Sequence, residues 1–131
     1  MKIINMLAIP GLLSLAACQR SDDVTPDANK VAIVITNPTE GQTFHRGDTV
    51  FMNAAVQYVS ELHGYELTIT NVANNAVLFD EDDHVHDDHF TISNYWVDTL
   101  SQPADLKINL TAEIDHNGNE ADKSILIKTQ P

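Results

Sequence analysis

Apolar and polar residues alternate along most of this chain with a period of two, the pattern of strands with one buried face. In Thr49 to Tyr58, the residues Val50, Met52, Ala54, Val56 and Tyr58 share one side. From Gly64 onward, Tyr65, Leu67 and Ile69 point one way and Glu66, Thr68 and Thr70 the other. Leu106, Ile108, Leu110, Ala112 and Ile114 form the cleanest alternation. The β-branched run Val31–Ile35 predicts an opening strand. Ala76–Phe79 predicts a short strand and Phe90–Asp98 an aromatic-rich one. Ser124–Thr129 predicts a closing strand, with Ile125 and Ile127 on one face and Leu126 on the other. Turn signals separate these segments: Asn37-Pro38-Thr39-Glu40-Gly41, Asn74-Asn75, and the Asn-Gly step within His116–Asn119. No helical periodicity of useful length is present.

Seven short strands so spaced predict an all-β, antiparallel β-sandwich over residues 31–131. The layout resembles an immunoglobulin-like domain. The resemblance rests on the strand number and on Asn37-Pro38-x-x-Gly41 followed by Gly47-Asp48-Thr49-Val50, a pattern similar to many bacterial extracellular Ig-like modules. It departs from antibody domains in lacking the two core cysteines and in placing Trp96 outside the third strand.

The first residues follow a different pattern. Met1-Lys2 is a short positive start, and Ile3–Ala17 is an apolar run too short to span a bilayer. Leu15-Ala16-Ala17-Cys18 resembles the bacterial lipobox. That resemblance implies cleavage after Ala17, so that residues 1–17 are a lipoprotein signal peptide, and it implies acylation of Cys18. Residues 18–30, rich in Ser, Asp, Thr, Pro and Asn, read as a flexible acidic tether. Gln19 after the cysteine points to the outer membrane, and Arg20-Ser21-Asp22-Asp23 looks like a surface-export tag; surface and periplasmic faces both remain open. The whole chain is similar to uncharacterised bacterial Ig-like lipoproteins with a mid-domain histidine cluster, a group that implies no established activity.

That cluster is Asp80-Glu81-Asp82-Asp83-His84-Val85-His86-Asp87-Asp88-His89. Its carboxylates cannot be buried unpaired, so it is expected to be a solvated loop or a ligand site. An extended run would put His84 and His86 on one face, roughly 6–7 Å apart at about 3.3 Å per residue, suited to one ion. His89 could join them, and Asp83, Asp87 or Asp88 could complete or orient the shell. Neutral imidazoles favour zinc or copper. The spacing does not match an EF-hand. Counting connections at alternate ends of the sandwich places His63, His84, His86, His89 and His116 at one end and His45 at the other. Strand one starts at the histidine end, so the lipid anchor attaches near it.

A formal net charge of −12 disfavours nucleic acid as a partner. There is no Gly-rich phosphate loop and no Gly-x-Ser-x-Gly elbow, and Cys18 is committed to lipid, so the chain reads as non-enzymatic. Two readings stand: a membrane-tethered lipoprotein that binds a divalent metal, and an interaction or adhesion module of the cell envelope. Tyr95 and Trp96 are a possible binding platform, with one of the two expected to face the core.

Overall fold

The computed structural model describes residues 24–131; the expected signal peptide, Cys18 and the residues up to Asp23 lie outside the described residues. Eight strands form two sheets. They are β1 Ala32–Asn37, β2 Thr43–His45, β3 Thr49–Leu62, β4 Gly64–Asn71, β5 Val77–Asp83, β6 Asp87–Val97, β7 Ala104–Glu113 and β8 Glu120–Gln130. One sheet has the order β1-β3-β6 and the other β2-β8-β7-β4-β5. All pairings are antiparallel except β2 with β8, which is parallel. This is the expected Ig-like β-sandwich.

The core lies between the sheets and follows the sequence alternation. Val50, Met52, Val56 and Tyr58 of β3 are buried. They face Leu67 and Ile69 of β4 and Leu106, Ile108, Leu110 and Ala112 of β7 within one cluster. Trp96 turns inward against this cluster, whereas Tyr95 faces solvent.

Three expectations need correction. The sequence predicts seven strands; the additional β2 is only three residues long, too short for a period to register. Asp80–His89 is not a loop. Asp80–Asp83 ends β5, Asp87–His89 begins β6, and only His84-Val85-His86 connects them. Asp80, Asp82 and Asp83 keep their carboxylates exposed, and half-buried Glu81 is paired by the Tyr65 hydroxyl, while the main chain of all four pairs with β4, as in Thr68↔Asp80 and Tyr65↔Asp83. Solvation of side chains and hydrogen bonding of backbone are separate demands, and an edge strand meets both. Finally, the end of the expected tether belongs to the folded body. Ala28–Lys30 forms a 3-10 turn capped by Asp27, whose N–H donates to the Tyr58 hydroxyl at 3.1 Å.

Candidate metal centre

The site is built at the end where chain crosses between sheets. β3 leaves the small sheet at Leu62, and β4 enters the large one at Gly64, so His63 alone makes the crossing. Its N–H donates to the Glu113 carbonyl at 2.9 Å. Its own carbonyl lies 3.3 Å from His84 Nδ1. Gly64 permits the tight join: a Cβ there would stand 2.6 Å from the Asp83 carbonyl oxygen. The absent side chain lets β4 and β5 close up, which brings the His84-Val85-His86 connection beside His63. Half-buried Val85 packs on the core and pins that connection from below.

The rings follow from this frame. His63 and His86 stand edge to face with centroids 5.3 Å apart. His63 and His116 are 4.5 Å apart and tilted. His86 Nδ1 lies 3.3 Å from Glu61 Oε1, and both side chains are exposed. Ligand atoms of Glu61, His63 and His86 all fall within 4.8 Å of one another. Donors about 2.1 Å from one zinc would stand ~3.4 Å apart, so small side-chain rotations close the set. His63 Nδ1 is buried and has no hydrogen-bond partner among the described residues. A buried imidazole nitrogen left unmatched is costly, and a cation is one way to satisfy it.

His116 is presented by an ordered turn. Asp115 Oδ1 accepts from the N–H groups of Asn117 and Asn119 at 2.8 and 3.2 Å, and Oδ2 accepts from the Asn119 side chain at 2.7 Å. That side-chain bond, ahead of the backbone bonds, holds the Asp115 carboxyl below its ordinary range. Gly118 takes the positive φ of +86° that the turn requires.

The sequence-nominated residues divide. The structure brings His63, His86 and His116 together, with Glu61 added. His84 stands beside them but is turned to the His63 carbonyl, so the expected His84/His86 pair on one ion is not formed. Asp83 pairs with Tyr65 at the end of β5 and is not part of the group. Asp87, Asp88 and His89 form a second, wholly exposed group at the start of β6. There His89 Nδ1 contacts Asp88 and lies 3.5 Å from Asp87 Oδ1. The bond to Asp88 raises the His89 pKa, and the same bond lowers that of Asp88. His45 is at the opposite end, 3.8 Å from Asp48. Glu61 was legible in principle: it precedes His63 by two, the spacing that puts neighbours on one side of a strand.

A cleft of about 490 Å³ adjoins the group, lined by Glu61, His63, Asp115 and Tyr58 and walled by Val24–Pro26. The first described residues thus lie beside the histidines. Among the described residues, no helix is long and apolar enough to cross a membrane.

No protein-family model matches the chain, and no curated protein matches it in sequence. Among solved structures, the fold is similar to the sporulation control protein of Bacillus subtilis, with TM-score 0.53 and 10% identity over 78% of this chain and 49% of that one. The chain therefore spans about half the length of that protein. Lower scores relate it to fibronectin(III)-like modules of CbhA from Clostridium thermocellum (TM-score 0.48, 12% identity, 76% and 96% covered). A CARDB domain from Pyrococcus furiosus, solved in complex with di-metal ions, gives TM-score 0.44 and 11% identity over 77% and 94%. At these identities the likeness concerns the fold alone.

Proposed function

We propose that this protein is a non-enzymatic lipoprotein, tethered to the outer membrane through acylated Cys18, that binds one divalent transition metal through Glu61, His63 and His86. His116 stands ready as a fourth ligand. The observation that carries the reading is the buried, unpartnered Nδ1 of His63 within a three-residue ligand group. Two imidazoles and a carboxylate suit zinc or copper rather than magnesium or calcium. The Ig-like fold is itself compatible with many roles, so the function is argued from the site.

Isothermal titration of the mature protein with Zn²⁺ and Cu²⁺ tests the metal. The expected result is one site of sub-micromolar Kd, lost on His63→Ala and His86→Ala. Millimolar binding, or binding indifferent to both substitutions, overturns it. The anchor is tested separately: Cys18→Ser should move the chain from the membrane fraction to the soluble one.

A second reading, an envelope interaction module, is favoured by one observation. Val34, Phe51, Tyr95 and Val97 leave the outer face of the β1-β3-β6 sheet apolar and exposed. Retention of an envelope partner in a pull-down that ignores His63→Ala and His86→Ala would support this reading over the first.

A further inference from the structure

At the end of the sandwich opposite the histidines, β1 stops short. It pairs with β3 from Ala32↔Gln57 to Asn37↔Asn53 and goes no further. Among the described residues, the stretch Thr49–Met52 of β3 therefore has no strand partner on that side. The space is a cleft of about 430 Å³ lined by Asn37, Pro38, Gln42, Thr49, Phe51 and Asn53. That volume is within the range of small-ligand clefts.

The chemistry of its walls sets it apart. Three other clefts of 390 to 490 Å³ each carry ionisable side chains: Asp105 and Lys128, or Glu61, His63 and Asp115, or Asp122 and Lys123. This one carries none, in a chain of formal net charge −12. Its polar groups are carboxamides with capacity to spare. The side chains of Asn37 and Asn53 make no hydrogen bond among the described residues; Asn53 is engaged through its main chain, in register with Asn37 and Ser93 and with its carbonyl accepting from Thr36 Oγ1 at 3.1 Å. Gln42 uses its oxygen on the Thr39 N–H at 3.1 Å, and among the described residues its two amide protons meet no acceptor. Beside these amides, Phe51 is 61% exposed and directly opposite Tyr95, itself 62% exposed. Cross-strand partners share a face, so Phe51, which lines the cleft, and Tyr95 beside it on β6 lie on the same outer side of the sheet.

We propose that this cleft is a second ligand site and that its ligand is a neutral saccharide. Aromatic faces stack on the C–H face of a sugar ring, and carboxamides both donate to and accept from hydroxyl groups. An anionic ligand would meet no cation there and would be repelled by the acidic chain. A purely apolar ligand would strip water from three amides without replacing their hydrogen bonds. The site lies at the end away from residues 24–31, so it does not depend on the metal-binding reading.

Native affinity electrophoresis in gels containing β-glucan, mannan, xylan or soluble starch tests the proposal. At least one neutral polysaccharide should retard the protein relative to albumin. Phe51→Ala should weaken that binding about tenfold or more, since burial of one aromatic ring is being removed. Asn53→Ala should weaken it as well, and His63→Ala should leave it unchanged. Thermal melts monitored by circular dichroism report whether each variant is folded. Absence of retardation by all four polymers overturns the proposal. So does retardation unchanged in folded Phe51→Ala and Asn53→Ala, or binding confined to an acidic polysaccharide such as pectate.

Discussion

His63 is held by its main chain more firmly than by its ring. With its N–H on Glu113 and its carbonyl against His84, the residue cannot move without breaking the sheet crossing. The ring is left free to meet Glu61, His86 and His116. His89 is the opposite case: its ring is engaged and its surroundings are open. Because Asp88 raises its pKa, the stability drawn from that ion pair is complete below the ordinary histidine value and fades as pH rises through the raised one. NMR titration should show the His89 midpoint falling in Asp88→Asn. Tyr65 gives a second readout. Burial first, then the hydrogen bond to Glu81, pushes its phenol up to about 12. A raised pKa means that its contribution is present below pH 10 and lost as pH climbs toward 12. Absorbance titration of Glu81→Gln should find this tyrosine ionising earlier.

At the scale of elements, the joins between strands matter more than the strands. Gly64→Ala would press a methyl carbon onto the Asp83 carbonyl at 2.6 Å, and main chain cannot yield there cheaply. We expect a loss of about 1–3 kcal/mol in denaturant unfolding, with weaker zinc binding, because β4 and β5 would separate. At the far end, Asp98 closes β6. It is 1% exposed, meets the Thr129 hydroxyl, and accepts from the Leu100 N–H at 2.9 Å. Asp98→Ala leaves those donors unmatched, and urea unfolding should show a cost of about 1–3 kcal/mol. Both joins were hard to read in the sequence. Asp80–Asp83 reads as loop because the polarity of its side chains says nothing of its backbone, yet β4 pairs with every one of these residues. By contrast β7, flanked by β4 and β8, shows its alternation plainly because one of its faces is fully buried.

At the scale of the molecule, the two ends of the sandwich are chemically distinct. One gathers imidazoles and the first described residues; the other holds amides and an aromatic surface. The parity of strands places His45 among the latter, 3.8 Å from Asp48. Calorimetry should therefore find zinc binding unchanged in His45→Ala and weakened about tenfold or more in His116→Ala.

The fold class, most strand faces and the core were legible in the alternation of residues such as Val50, Met52 and Val56, because a half-buried strand imposes a period that depends only on local geometry. Parity along the chain also sufficed to send His63, His86 and His116 to one end. Which side chains meet there depended on longer-range facts. A missing Cβ at Gly64, a ladder of β4 with β5, and a six-residue turn tied down by Asp115 bring His63, His86 and His116 within reach of one another, while His84 and His89 turn to other partners. Ångström-scale convergence is set by packing between residues far apart in the chain, and no local pattern encodes it.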